Sequence, residues 1–195
     1  VGSSLEEMRR IGVKNFPRRC AKFIAAGQPF AFRTPSGKIE LYSEQLAAQG
    51  FDPMPEYTRP EKPPEGYFHL NYGRMPAHTF GKTTNNPLLF ELAPENTVWV
   101  NPLVAREFGI RNGEYVRLQN QDGVISNRVR VRVTERVRPD SVFMAHGFGH
   151  RSRRLRLTYG IGADDSDLMT NVKVDPLMGG TGMRANFVTL FREEG

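Results

Sequence analysis

The hydrophobic positions of this chain recur mainly with a period of two, the period of a β-strand that has one buried face and one wet face. The clearest case is the run RVRVRV at residues 128–133, in which arginines and valines alternate. Apolar or alternating runs predict six strands, at residues 67–72, 96–100, 113–119, 124–133, 141–146 and 186–191. The pattern therefore predicts a mainly β domain, either a barrel or a sandwich.

Short helices are predicted where a capping residue precedes helical spacing of apolar residues. The best signal is Asn101 followed by Pro102, since Asn is a favoured N-cap and Pro a favoured first residue. Other short helices are expected at residues 4–11, 16–26 and 43–49. Strands at residues 30–34 and 38–42, joined by the turn sequence Pro-Ser-Gly, predict a small hairpin between them.

Proline placement divides the chain. Five prolines lie within residues 52–66, a composition that favours an extended connector over packed structure. We therefore expect three segments: a helical and hairpin arm at residues 1–50, a proline-rich connector at 51–66, and the β domain at 67–195. No apolar run approaches the roughly 20 residues that a membrane helix needs, so no direct membrane insertion is expected.

The net charge of +6 raises the question of a nucleic-acid partner. The alternating arginines of residues 128–133 are expected on a solvated sheet face. A second basic group, at residues 151–156, follows a glycine-rich loop and suits phosphates or an acidic partner. Because no aromatic-interleaved basic motif accompanies either group, we expect no nucleic acid.

Metal-binding patterns are weak. The lone Cys20 cannot form an internal disulfide, a multi-cysteine zinc site or an iron–sulfur cluster from this chain alone, and is expected to pack on a helix face. His146 and His150 have helical zinc spacing, but the glycines between them disfavour a helix. The aspartates of residues 164–167 lack the spacing of a calcium loop and predict a solvated turn. No metal ligand is therefore predicted.

Three polar, glycine-rich loops interrupt the predicted sheet, at residues 73–86, 146–162 and 170–184. The first is dense in Arg, His, Thr and Asn side chains, and its glycines let the backbone approach a ligand closely. Loops on a rigid barrel commonly present binding residues. If the three loops gather at one end, they form a single site.

Several motifs together carry a family resemblance. They are TPSGKIELYSE at residues 34–44, GRMPAHTFGKTTNNPLL at 73–89, VWVNPLVAREFGIRNGEYVRLQNQDG at 98–123, AHGFGH at 145–150, NVKVDPLMGG at 171–180 and MRANFVTLF at 183–191. In this order they resemble the C-terminal cofactor-binding domain of the molybdopterin oxidoreductases, the dimethyl-sulfoxide reductase superfamily. Within it, the sequence looks closest to thiosulfate and polysulfide reductase catalytic subunits.

The resemblance implies a double-psi β-barrel that helps to hold molybdopterin guanine dinucleotide with molybdenum, jointly with upstream domains. Pyrophosphate suits Arg, Thr and glycine-loop amides, while the pterin edge suits Asn and backbone groups. The cofactor-binding residues expected on this basis are Gly73, Arg74, His78, Thr79, Thr83, Asn86, His146, Phe148, His150, Asn171 and Arg184. An iron–sulfur cluster is expected only in the parent subunit.

The resemblance also implies that the chain is part of a larger bacterial or archaeal enzyme and is inactive alone. The parent would reduce thiosulfate or polysulfide in anaerobic respiration, with tetrathionate, arsenate, nitrate or formate as alternative substrates. Expected partners are the upstream domains, an iron–sulfur electron-transfer subunit and a membrane anchor subunit, on the periplasmic side of the cytoplasmic membrane. A pterin-free barrel that serves as an interaction module is the rival class.

Overall fold

The structure is a computed structural model that describes residues 2–15, 32–54, 56–177, 179–182 and 185–192. The chain divides into two compact units, Val1–Arg59 and Pro60–Gly195. Residues 56–64, which contain three of the connector's prolines, form no helix or strand. The finer division into arm, connector and barrel stays a prediction. No helix in these described ranges is long and apolar enough to cross a membrane.

The first unit contains two short helices, α1 (Leu5–Ile11) and α2 (Glu44–Ala48). Each begins after a serine whose hydroxyl accepts a backbone N–H, Ser4 from Glu7 and Ser43 from Leu46. Both helices confirm the capping pattern in the sequence. The helix expected at residues 16–26, with Cys20, lies outside the described residues.

The hairpin predicted beside these helices is wrong in its strands. The turn forms, because the Gly37 amide donates to the Thr34 carbonyl at 3.0 Å. Its described flanks, residues 32–34 and 38–42, are nevertheless not strands. Ile39 is 70% exposed and Leu41 78% exposed, so this segment buries no apolar face within its unit. A two-stranded hairpin without such a face is marginal in water.

The second unit is a closed barrel of six strands with short helices and a small ribbon. Its helices are α3 (Pro87–Leu92) and α4 (Pro102–Glu107). Its strands are β1 (Phe68–Gly73), β2 (Thr97–Val100), β3 (Tyr115–Asn120), β4 (Val129–Val133), β5 (Ser141–Ala145), β6 (Lys173–Val174), β7 (Thr181–Gly182) and β8 (Phe187–Arg192). The strands β6 and β7 pair only with each other, as a two-stranded ribbon that the sequence did not indicate. The mainly β fold with short helices is confirmed.

Strand direction gives the barrel two distinct ends. The strand order is β1-β5-β2-β4-β3-β8, with β1–β5 and β2–β4 parallel and all other pairs antiparallel. As a result β1, β3 and β5 finish at the same end at which β2, β4 and β8 begin; we call this the loop end. The three polar loops predicted from the sequence all connect to strands there.

The barrel wall follows the alternation seen in the sequence. Along β4, Val129 and Val131 are buried, Val133 is partly buried, and Arg130 and Arg132 point outward. Arg130 forms a 2.8 Å ion pair with Glu95, and the Arg132 guanidinium lies 4.9 Å above the Trp99 ring. This confirms the wet arginine face. The strand begins later than predicted, because at residue 126 a serine hydroxyl accepts the Leu118 amide in place of a regular ladder.

Three asparagines are fully buried at the loop end: Asn96 before β2, Asn120 at the end of β3, and Asn186 before β8. A buried amide side chain needs hydrogen-bond partners, because each unpaired polar group costs free energy. All three find partners in residues 163–171, which we call the crossing segment. This segment runs over the loop end from the β5–β2 side to the β3–β8 side.

Asn96 fixes the start of the crossing segment. Its Nδ2 donates to the carbonyls of Ala145 and Ala163, each at 2.8 Å, and its Oδ1 accepts the Ala163 amide at 3.0 Å. A side chain on Gly162 would lie 2.4 Å from the Asn96 Oδ1, so glycine is required there. Asn96 thereby ties the end of β5 to the crossing segment.

Asn120 and Asn186 fix its far end. The Asn120 Nδ2 donates to the Leu168 carbonyl at 3.1 Å and to the Thr170 hydroxyl at 2.9 Å. Asn186 accepts the Asn171 amide at 2.9 Å and donates to the Asn171 carbonyl at 2.8 Å. Between these anchors Leu168 is fully buried in the barrel core. The crossing segment therefore closes the loop end.

We predict that Asn96→Ala destabilises the fold by roughly 2–4 kcal/mol, because it leaves buried backbone groups of Ala145 and Ala163 without partners. Chemical denaturation of the full-length protein measures the loss, and hydrogen exchange should localise it to residues 163–171. The exposed Asn127→Ala is the matched control, expected to change stability by less than about 0.5 kcal/mol. Equal stability of both variants would contradict the role given to Asn96.

Candidate functional site

Two of the polar loops leave the barrel side by side. The first loop, residues 74–86, follows β1, and the second loop, residues 146–162, follows β5. These strands are parallel neighbours with Gly73 opposite Ala145, and the His146 amide donates to the Gly73 carbonyl at 3.0 Å. Adjacent parallel strands that end together place their following loops in contact.

The two loop backbones touch at a glycine. Gly147 has φ of 96°, and a Cβ there would lie 2.4 Å from the Phe80 carbonyl carbon and 2.5 Å from the Gly81 nitrogen. Gly81 is similarly close to His150, whose Cε1 would lie 2.8 Å from a Cβ at residue 81. The contact between the loops therefore depends on glycine on both sides.

Side-chain hydrogen bonds join the loops further. The fully buried Thr84 places its hydroxyl 2.8 Å from the His150 Nε2 and donates to the Gly81 carbonyl. Asn85 accepts the Leu157 amide at 3.0 Å. The predicted site residue His150 is thus engaged in holding the second loop against the first.

Four predicted site residues, His78, Thr79, Thr83 and Phe148, lie in or against the first loop, and of these His78 and Phe148 are buried. The His78 ring nitrogens lie 2.8 Å from the Ala93 carbonyl and 3.4 Å from the Thr83 hydroxyl, which also accepts the Thr79 amide. His78 is 5% exposed, and its ring meets the buried Phe148 edge-on at 5.6 Å. His78 and Phe148 face protein in this chain, so a direct contact with a cofactor stays a prediction for them.

Two further predicted residues serve the local backbone. Asn86 caps α3, a helix absent from our sequence prediction, by accepting the amides of Leu88 and Leu89. Gly73 ends β1 beside Phe143, whose ring would lie 3.1 Å from an added Cβ. A cofactor-binding role stays a prediction for both.

A column of stacked side chains stands where the first and second loops meet. The Arg74 guanidinium lies 5.3 Å from the centroid of Phe80, and the Phe80 ring lies 4.7 Å from the His146 ring. Tyr72 contacts His146 from β1 at 5.7 Å. Phe80 has φ of 51° and is 41% exposed. Left-handed backbone in an aromatic residue is strained, and such strain concentrates at functional sites.

Beneath this column lies a buried acid that faces the histidine. The Asp165 Oδ2 lies 3.6 Å from the His146 Nδ1, and Asp165 is 1% exposed. Both Asp165 oxygens and the His146 Nε2 are buried and have no hydrogen-bond partner. Unmet hydrogen-bonding capacity of this kind is rare in native proteins and needs an explanation.

Burial raises the pKa of Asp165 to about 6, partly offset by the nearby His146 and slightly reinforced by Asp164. The prediction that Asp165 lies in a solvated turn is wrong, because Asp165 is buried. The crossing segment carries Asp165 inward between Ala163 and Leu168, both fully buried. No local pattern distinguishes Asp165 from its neighbours, because its burial depends on the distant asparagines.

The remaining two predicted residues belong to the third loop. Asn171 is exposed and exchanges hydrogen bonds with Asn186, while its side chain donates to the Ala185 carbonyl at 3.3 Å. These bonds place Asn171 at the loop end but join it to the start of β8 rather than to the first two loops. Arg184 lies outside the described residues.

The barrel and its loops belong to a known protein family. The family model described as "Molydopterin dinucleotide binding domain" matches residues 68–187, and this chain belongs to that family. The match confirms the resemblance to the molybdopterin oxidoreductase superfamily read from the motifs. The chain therefore carries the molybdopterin dinucleotide-binding domain of the dimethyl-sulfoxide reductase superfamily.

Individual relatives agree with this assignment. The chain is 38% identical over 141 residues to the thiosulfate reductase molybdopterin-containing subunit of Salmonella typhimurium, covering 69% of this chain and 18% of that protein. It is 28% identical over 170 residues to an Escherichia coli dimethyl sulfoxide reductase, covering 80% of this chain and 20% of that protein. The chain thus spans about a fifth of these relatives.

A solved structure supports the fold. Acetylene hydratase from Pelobacter acetylenicus superposes with a TM-score of 0.66 at 18% identity, covering 84% of this chain and 25% of that one. At this identity the likeness establishes the barrel architecture alone.

We predict that Gly147→Ala separates the first and second loops, because its Cβ would collide with the Phe80 backbone. Hydrogen exchange in residues 74–86 of the full-length protein should quicken, and the melting temperature should fall by several degrees. Gly160→Ala is the matched control, since Gly160 has φ of 69° but open space around its Cβ position. It carries only the backbone strain, about 1–2 kcal/mol. Indistinguishable variants would refute the close approach.

We predict that Asp165→Asn stabilises the fold near pH 8, because the buried carboxylate is costly when ionised. The folded-state pKa of Asp165 is about 6 against an ordinary value of 3.8, so the native state binds the proton more tightly. Wild-type stability therefore declines as pH rises from about 4 to 6 and stays lower above it, by up to about 3 kcal/mol. Melts of both proteins at pH 4 and 8 measure this. A variant with no greater advantage at pH 8 than at pH 4 would contradict it.

Proposed function

We propose that this chain is the cofactor-binding C-terminal portion of a molybdenum bis(molybdopterin guanine dinucleotide) oxidoreductase that reduces thiosulfate or polysulfide. The observation that carries the proposal is the family match over the barrel, together with loops of the predicted site meeting at one barrel end. The 38% identity to a thiosulfate reductase subunit supports the substrate class.

The residues at the loop end fit such a cofactor. Its dinucleotide is anionic, and Arg74 presents an exposed guanidinium there. Its pterin is a flat heterocycle with hydrogen-bonding edges, which suits the half-exposed Phe80 ring and the unpartnered Nε2 of His146. The exposed amide of Asn171 adds a donor and an acceptor at the start of β8, the strand that neighbours β1, at the same end of the barrel. Arg74, His146 and Asn171 would therefore hold the cofactor.

The cofactor, when bound, supplies the two-electron redox chemistry that cleaves a sulfur–sulfur bond. The residues of this chain bind the cofactor, orient it and exclude water from it. Arg74 offsets the negative charge of phosphates, and the aromatic column covers the His146 ring from solvent. The crossing segment closes the barrel beneath, so that these groups stand on a rigid base.

The substrate is tested in the full-length protein. Purified protein should contain molybdenum, pterin and a guanine nucleotide, and should reduce thiosulfate or polysulfide with a reduced dye as electron donor. Preferential turnover of tetrathionate, arsenate, nitrate, formate or dimethyl sulfoxide would reassign the substrate and keep the domain function. Protein that lacks both metal and guanine nucleotide would support the rival class, a pterin-free interaction module.

The partners follow from the same proposal. Upstream domains of one subunit would complete the cofactor site, and the chain spans only about a fifth of its relatives. We further propose an iron–sulfur electron-transfer subunit and a membrane anchor subunit, on the periplasmic side of the membrane, with an export signal outside this segment. Co-purification of the full-length protein from native membranes, with iron analysis, tests this assembly.

We predict that Arg74→Ala and Asn171→Ala each lower pterin content by at least threefold in the full-length protein, with little change in melting temperature. Both side chains are exposed, so their removal should affect the ligand more than the fold. Pterin fluorescence after oxidation, normalised to protein, measures retention.

Arg136→Ala is the matched control for these two variants. Arg136 is an exposed arginine in the β4–β5 connection, at the end of the barrel away from the loops. Pterin content equal to wild type in the Arg74 and Asn171 variants, or an equal loss in the Arg136 variant, would contradict the placement of the site.

A further inference from the structure

The burial of Asp165 lowers the stability of the fold, and no hydrogen bond to its carboxylate compensates for that loss. Asp165 is 1% exposed, and neither carboxylate oxygen has a hydrogen-bond partner. A neutral side chain would avoid the desolvation of a charge at this position. Residues at functional sites commonly lower the stability of the fold.

The position of Asp165 is nonetheless firmly held. Two residues before it, Ala163 is tied at both its amide and its carbonyl to Asn96. Three residues after it, the Leu168 carbonyl accepts from Asn120, and the Leu168 side chain fills the core. The carboxylate is therefore presented from a fixed backbone rather than from a mobile loop.

The group that Asp165 faces lies in the proposed cofactor site. His146 directs Nδ1 toward the carboxylate, at 3.6 Å, while Phe80 and Tyr72 contact its ring. The two imidazole nitrogens lie on different edges of the ring, so a partner on Nδ1 leaves Nε2 available for a second group. Carboxylates orient functional histidines through the far nitrogen in this way.

We propose that Asp165 is a positioning residue that orients His146 through Nδ1. In this orientation the Nε2 of His146 engages a hydrogen-bonding edge of the bound pterin or of the enzyme's substrate. This inference rests on the proposed function. Because Nε2 is buried beside the half-exposed Phe80 ring, ligand binding would displace that ring, satisfy Nε2, and draw Nδ1 and the carboxylate into a direct hydrogen bond. Asp165 itself does not touch the ligand.

The charge state of Asp165 gives the proposal a pH signature. The ionised carboxylate accepts from Nδ1 more strongly than the neutral acid does, and burial raises the pKa of Asp165 to about 6. The titratable groups that act on it are His146, from the end of β5, and Asp164, its neighbour in the crossing segment. Pterin retention and turnover should therefore rise as pH increases through about 6, and this step should vanish in Asp165→Asn.

The test uses the full-length protein and a double-mutant cycle of Asp165→Asn and His146→Ala. We expect Asp165→Asn to lower kcat by 10- to 100-fold with less than a threefold change in KM, and to speed pterin loss during dialysis at least fivefold. Because Asp165 acts through His146, adding Asp165→Asn to His146→Ala should change neither quantity more than twofold.

The matched control is Asp164→Asn. Asp164 is the adjacent carboxylate, it is partly exposed, and it accepts the Ser166 amide in a local turn. This variant removes the same charge and should stay within twofold of wild type. Melting curves accompany every variant, and Asp165→Ser replaces Asp165→Asn if the latter does not fold.

Three outcomes overturn the inference. Asp165→Asn that matches Asp164→Asn shows that the buried carboxylate has no role at the site. Full additivity with His146→Ala shows that Asp165 acts independently of the histidine. A wild-type protein without pterin overturns the proposed function and this inference together, whereas a pterin-loaded wild type with a neutral Asp165→Asn overturns this inference alone.

Discussion

The hydrogen bonds of three buried asparagines to the crossing segment are the constraint on which the rest of this barrel depends. Asn96, Asn120 and Asn186 lie at the loop-end termini of three different strands, and together they hold residues 163–171 over the end where the loops emerge. Amide side chains suit this task because each both donates and accepts, and can therefore replace a missing strand neighbour. The bonds close the barrel and fix the backbone that carries Asp165.

Above the crossing segment, the two loops that follow β1 and β5 pack against each other at glycines. This arrangement leaves buried polar atoms without hydrogen-bond partners. A strained Phe80, an imidazole nitrogen without a partner and an ionisable acid in the interior would each lower stability in an isolated domain. They occur at one place, the end of the barrel at which we propose that the dinucleotide binds. The cost is understandable if a cofactor and further domains complete the site.

The sequence predicted those features whose cause is local. Alternation identified β4, and the Asn101-Pro102 pair identified α4, because period and capping act within a few residues. Features that depend on distant contacts were predicted wrongly. The strands expected on either side of residue 37 do not form, because they have no sheet to join. Asp165 was assigned to solvent because its burial is decided by Asn96 and Asn120, far away in sequence. The motifs located the candidate loops, but only the structure separates the buried His78, bonded to Ala93 and Thr83, from His146, whose Nε2 has no partner.

The most direct measurement of the central claim is an experimental structure of the full-length protein with its native cofactor. We expect pterin density at the loop end, between Arg74 and Asn171 and within hydrogen-bonding distance of the His146 Nε2, with the crossing segment in place beneath it. A cofactor bound at the opposite end of the barrel, beside Arg136, would contradict this account, and so would a loop end packed against protein alone.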